Sequence, residues 1–242
     1  MNFTLETIAF NIQSCVLAQT AGAHRIELCD NPTDGGTTPS MGFIKMAREK
    51  LHIQLFPIIR PRGGDFLYTN DEFEVIKADI QLCKDLGCDG VVIGILNADA
   101  SIDKTRCSIL VNMAYPMSVT FHRAFDRVIN MELALEDIIE IGCERILTSG
   151  CYPTAMEGAD NLQKLILQSN DRIIIMPGSG IRAANIAEIA ALTGATEFHS
   201  SARIKVESTM KIFNDTMKEN LQTVIADEQE IRMMINYLQK NE

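Results

Sequence analysis

The feature that most constrains this chain is a regular alternation. Eight short runs rich in Val, Ile and Phe lie at 3–9, 24–29, 53–59, 90–95, 117–122, 145–149, 173–177 and 196–200. Between them lie amphipathic stretches at 11–21, 40–50, 71–86, 103–113, 131–141, 158–169 and 182–192. Strands joined through a helix run parallel, because a parallel crossover needs a long connection. Eight such units in 242 residues predict a closed (β/α)8 TIM barrel, an α/β fold with parallel strands. An open doubly wound sheet is the structural alternative. No Pro/Gly/Ser-rich linker or low-complexity run divides the chain, so 1–242 reads as a single domain. A final helix or pair is expected at about 208–238, a C-terminal helical segment (about 206–240) packed on the barrel, with Ile231, Met234, Ile235 and Leu238 at helical spacing.

An internal echo supports closure. AGAHRIELC, LGCDGVVIG, IGCERILTSG and TGATEFHSS each place a Gly after a helix and then lead into a strand. The glycines are 22, 87, 142 and 194, about two β/α units apart. Gly ends a helix cheaply in the left-handed conformation, which also explains each one locally. Aligning the echoes predicts the barrel interior, since alternate residues of a strand face inward and alternate strands share a layer. Arg25, Glu27 and Cys29 face inward, and Ile26 and Leu28 face the helices. Glu27, Val92, Leu147 and His199 form the middle layer, and Cys29, Gly94, Ser149 and Ser201 the layer nearest the C-terminal rim. Ser118, Thr120 and His122 share the inward face of the fifth strand. Charged groups inside a barrel are costly unless paired or hydrogen-bonded.

Composition removes several functions. Lys plus Arg number 22 against 32 Asp plus Glu, a net charge of −10. That balance disfavours nonspecific binding to nucleic acid or anionic membrane, which needs clustered bases. No run approaches the roughly 18 apolar residues of a spanning helix, and the N-terminus lacks a secretory pattern. The seven cysteines, at 15, 29, 83, 88, 107, 143 and 151, are odd in number and contain no CxxC. They read as free thiols in a reducing compartment, the cytoplasm.

In a TIM barrel the working site lies at the C-terminal ends of the strands. Glu6 and Glu27 with His122 and His199 offer an acid–base set, with His122, Glu27 and Glu6 the catalytic candidates. The same carboxylates and imidazoles suit a divalent cation, or simply structural ion pairs such as Glu27 with Arg60. In RPRGGDFLYTND, Arg60 and Arg62 suit an anionic group through forked hydrogen bonds, with Asp65 beside them. Arg62 pairing with Asp65 to pin the loop is the other reading. MPGSGIRAANI has the shape of an anion-binding turn through Gly178, Ser179 and Gly180. Arg123, Ser149, His199 and Ser201 complete the expected ligand-binding set. GxGxxG is absent, so a dinucleotide is disfavoured. Among the cysteines, Cys29 and Cys151 map near the C-terminal rim on opposite sides of the barrel.

RIELC, DGGTTPSMG, IRPRGGDFLYTNDEFEVIKADI, GCDGVVIGIL, TFHRAFD, ILTSG, MPGSGIRAANI and EFHSSAR occur in order from about residue 5 to 203. Together they resemble the copper homeostasis protein CutC family. The resemblance implies a TIM barrel, a cytoplasmic location, a homodimer or larger homo-oligomer and a role in copper handling through cysteines at strand ends. Many relatives read roughly LEVCVDS at the first strand, where this chain reads LETIAFN. Ile8 stands where that Cys would be and Phe10 replaces the acid, so Cys29 alone remains as the metal candidate of that pair. Two functions stand side by side. One is a cytoplasmic copper-homeostasis protein that binds a copper ion. The other is a barrel enzyme acting on a small phosphate or carboxylate metabolite at the C-terminal face. A third, structural reading is an oligomeric scaffold.

Overall fold

The computed structural model of the chain describes residues 3–240. Its eight barrel strands are β1 (Thr4–Ala9), β2 (Arg25–Leu28), β3 (Gln54–Pro57), β4 (Gly90–Ile93), β5 (Ser118–Phe121), β6 (Arg145–Thr148), β7 (Ile174–Pro177) and β8 (Glu197–Ser200). Seven helices follow the first seven strands: α1 (Ile12–Ala21), α2 (Met41–Lys50), α3 (Asn70–Asp85), α4 (Lys104–Ala114), α5 (Met131–Ile141), α6 (Ala159–Ser169) and α7 (Ile186–Thr193). The strands pair in parallel in two ladders, β3-β2-β1-β8 and β4-β5-β6-β7. The ladders meet at one parallel bridge between Ile58 and Val92, where Ile59 N–H donates to Val92 O at 2.8 Å. On the other side β7 packs beside β8, closing the TIM barrel.

Local chemistry sets the element ends. Asn11, Ser40, Thr69, Asp103 and Asn130 cap the starts of α1 to α5 with side-chain oxygens that accept a free backbone N–H. Thr69 and Glu72 form a reciprocal capping box. Gly22, Gly87, Gly142 and Gly194 all have positive φ at the ends of α1, α3, α5 and α7. The echo therefore marks every second β/α unit. Helix α7 begins at Ile186, later than the expected 182, because Arg182–Asn185 is a turn. There Asn185 accepts from Arg182 N–H and donates to Gly180 O.

The tail differs from the expected helix or pair at 208–238. Strand β9 (Arg203–Val206) pairs antiparallel with β10 (Thr223–Ala226), and only then does α8 (Glu228–Gln239) begin. Met210, Ile212, Phe213 and Met217, between the two strands, are exposed, so that stretch has no apolar face to bury as a helix. Helix α8 does, with Ile231, Met234 and Leu238 buried against α1 and α7. It completes the outer ring. Among the described residues no helix is long and apolar enough to cross a membrane.

Most of the apolar core lies between barrel and helices and includes Ile26, Leu28, Val119 and Phe121. A smaller cluster of Cys29, Phe56, Ile58 and Val92 sits apart from it, with Ile8 and Phe10 packed against it. The two faces of β2 and β5 thus divide as the alternation predicts. The inner face is where the polar groups are found.

Candidate functional site

The parallel register brings the first polar layer together. In β1, Glu6 stands opposite Arg25 of β2 on one side and His199 of β8 on the other. Glu6 is fully buried and accepts from Arg25 Nε and from His199 Nδ1, the latter at 2.7 Å. Arg25 also donates to Glu197 at 2.6 Å, and Glu197 meets Arg145 at 3.3 Å. Burial alone would raise the Glu6 carboxyl, but the Arg25 charge and the hydrogen bond from His199 outweigh it and hold it at about 2. Burial works against a charged His199 imidazole. The hydrogen bond to Glu6 and the Glu27 and Glu6 charges win, and its pKa is raised.

With Nδ1 tied to Glu6, His199 presents Nε2 toward Glu27, 3.6 Å from Oε2. Burial is the main force on Glu27. Aided by the Glu6 charge and opposed by His199 and Arg25, it lifts the carboxyl to about 7. Glu6, Glu27 and His199 each offer a ligand atom within 4.8 Å of the others. A carboxylate behind an imidazole that faces a second carboxylate is the layout that orients a metal-binding histidine. Cys29 lies beside Glu27 but outside this cluster; burial first, then the Glu27 and Glu6 charges, push its thiol well up. Cys151, with its thiol raised to about 11 by burial, follows β6 and donates weakly to Phe125 O.

A second group comes from the ends of β3 and β5. Arg60 is 5% exposed, and its guanidinium donates to the carbonyls of Asp34, Gly36 and Gly64 at 2.6, 2.9 and 2.9 Å. It lies over Phe66, 5.0 Å from the ring centre, and the Phe66 ring packs tilted against His122, with centroids 4.9 Å apart. His122 is buried, and its Nδ1 accepts from Ala124 N–H at 3.2 Å. Burial, with help from the Arg60 charge, pushes the imidazole down to about 3, so it is neutral near pH 7. The backbone approaches this ring closely: a Cβ on Gly94 would lie 2.4 Å from it.

Arg123 and Ser149 are held by a residue the sequence reading did not select. Asp126 accepts from Arg123 Nε at 2.7 Å, from Thr148 Oγ1 at 2.5 Å, and from the Ser149 and Cys151 backbone N–H groups at 3.0 and 3.1 Å. Ser149 in turn accepts from Arg123 Nη2 at 2.9 Å. The signal was present in HRAFD, an acid three residues after Arg123. Glu197, the counter-charge shared by Arg25 and Arg145, was missed because it opens its strand at the opposite end from the rim.

Part of this set surrounds a cavity of about 270 Å³ at the C-terminal mouth, whereas Glu6, Cys29, Asp126 and Ser149 are not among its lining residues. Glu27, Arg60, His122, Arg123, Ser179, Gly180, His199 and Ser201 line it, together with Arg203, Ile8, Phe10 and Phe66. Other expected members stand elsewhere. Arg62 pairs with Glu72 at 2.5 Å and with Asp65 at 2.9 Å and lies over Tyr68, so it pins its own loop. Asp65 faces a neighbouring groove. Gly178 sits against Leu147 and His199, where a Cβ would come 2.4 Å from the Leu147 side chain. In the turn before α7, Ala183 N–H is already engaged, donating to Glu230 at 2.8 Å.

Comparison with known proteins follows the same lines. The model of the CutC family matches residues 3–204. A CutC family protein of Chromobacterium violaceum is 51% identical over 211 residues, covering 87% of this chain and 85% of that protein. The human copper homeostasis protein cutC homolog is 47% identical over 215 residues, covering 89% and 79%. The crystal structure of a CutC protein from Streptococcus agalactiae superposes with a TM-score of 0.79 at 33% identity, covering 82% of this chain and 98% of that one. A thiamine phosphate pyrophosphorylase from Pyrococcus furiosus, 12% identical with a TM-score of 0.62 over 99% and 96% of the two chains, shares the fold.

Proposed function

This chain belongs to the CutC family, and from that premise we propose that it serves in copper homeostasis and that Glu27 and His199 hold the copper ion it handles. The observation that carries this reading is the grouping of Glu6, Glu27 and His199, with Glu6 fixing the Nδ1 side of the imidazole. Imidazole nitrogen and carboxylate oxygen suit Cu(II), whereas Cu(I) favours two or more soft thiolate or thioether ligands. Cys29 is a single buried thiol near this site and fits a Cu(I) site poorly. The copper reading is preferred to an enzyme acting on a small anionic metabolite because the human and mouse relatives sharing nearly half of the residues are named for copper homeostasis.

Calorimetric titration of the metal-free protein with Cu(II), followed by electron paramagnetic resonance, tests the site. One bound ion with nitrogen coordination is expected, weakened at least about tenfold in His199→Ala and in Glu27→Gln. Cys29→Ser is expected to leave the affinity unchanged. Cu(II) affinity that survives His199→Ala overturns the assignment. The exposed Ile204, Met210, Ile212 and Phe213 around the 203–226 hairpin support self-assembly into a homo-oligomer, which light scattering reads directly.

A further inference from the structure

Two residues that line the mouth cavity each carry a buried N–H donor without a hydrogen-bond partner. Because His122 Nδ1 accepts from the Ala124 N–H, a neutral ring carries its proton on Nε2. That Nε2 has no partner, and neither does Arg60 Nε. Both residues line the same cavity and are joined through Phe66, which packs on each. A buried donor left unmade costs the folded protein its full desolvation penalty, so two in one cavity call for an acceptor from outside the chain.

Charge points the same way. Besides the Tyr68 hydroxyl beside it, Arg60 meets only backbone carbonyls, and among the described residues no carboxylate forms an ion pair with it. A buried cation without a counter-charge is expensive. Arg60 and Arg203 line the cavity with no ion pair among the described residues, while Arg123 is balanced by Asp126 and Glu27 is the one carboxylate in the lining, on a chain whose net charge is −10. Thus an acidic protein concentrates positive charge where its donors are unsatisfied.

We infer that this cavity binds a small organic oxyanion, a carboxylate or phosphate ester, whose oxygens accept from His122 Nε2–H and Arg60 Nε–H. The oxyanion provides both missing acceptors and the counter-charge for Arg60. The cavity of about 270 Å³ has room for a small anionic molecule. The inference shares its cavity with the copper reading but does not need the ion.

The test uses the full chain freed of metal with a chelator. Inorganic phosphate and malonate are added separately, with chloride at matched ionic strength as the control, and melting temperature and calorimetric affinity are measured. Binding of phosphate assigns the phosphate class and binding of malonate the carboxylate class; either supports the inference. In His122→Phe the affinity is expected to fall at least about tenfold, and in His122→Gln, which restores an N–H, to recover in part. Circular dichroism establishes that both variants fold. If neither anion raises the melting temperature above the chloride control, or if His122→Phe binds as the wild type does, the inference is overturned. Because no metal is present, the outcome is independent of the Cu(II) titration.

Discussion

Glu6→Gln is the sharpest perturbation of the barrel interior. The substitution keeps the side-chain shape but removes the charge between Arg25 and His199. One carboxylate oxygen becomes an amide that donates, facing a donor. Arg25 is then left with Glu197 alone, which it already shares with Arg145. Breaking a buried ion pair from one side costs about 3–5 kcal/mol. In a chain of this size each kcal/mol lowers the melting temperature by about 2–4 °C, so a fall of roughly 6–20 °C is expected at pH 7. Arg25→Met alone is expected to be similarly damaging, because it leaves Glu6 buried without its main counter-charge. In the double variant neither charge remains, and Glu197 keeps Arg145 at 3.3 Å. Its loss should fall short of the sum of the single losses by about 1–3 kcal/mol. Urea and thermal unfolding of the four proteins measure the cycle. A Glu6→Gln protein melting within 2 °C of the wild type, or single losses that simply add, would refute the reasoning that this layer is a coupled buried network.

Two further outcomes follow from the same geometry. His122 sits at about 3 in the folded state and near 6.5 when unfolded. The unfolded chain therefore takes up a proton that the folded one refuses, and stability is lost as pH falls below about 6.5. Between pH 7 and 5 the wild type should lose about 2 kcal/mol more than His122→Phe, as read by urea unfolding across that range. Parallel losses in the two proteins would contradict the buried neutral imidazole. Gly94→Ala places a Cβ 2.4 Å from the His122 ring and is expected to destabilise by about 1–3 kcal/mol and abolish oxyanion binding. Gly42→Ala, on the open face of α2 with nothing within 4 Å, is the control and should stabilise by up to about 1 kcal/mol. Thermal melts and phosphate titration compare them.

The barrel was legible because its causes are local and periodic. Apolar runs, helix caps and the four glycines at helix ends are each set by a few neighbouring residues, and eight repetitions left one economical closure. Strand alternation likewise placed Glu27, His122 and His199 inward, because side chains of a strand change face at every residue. The tail was misread because apolar residues at 210–217 mimic a helical stretch while having nothing to pack on.

What sequence alone determined is thus the fold, its direction and part of the polar set at one end, including Glu27, Arg60, His122 and His199 but not Asp126. Which of them touch was decided in three dimensions. The register of β1 against β2 and β8 selected Glu6, Arg25 and His199 as one cluster. The bend of the loop after β3 turned Arg62 to Glu72 and left Arg60 facing the cavity. The 3-10 turn after β5, residues 123–127, put Asp126 under Arg123 and Ser149. Pairing energies and the states of Glu27 and His122 depend on distance and burial, and neither is encoded by spacing along the chain.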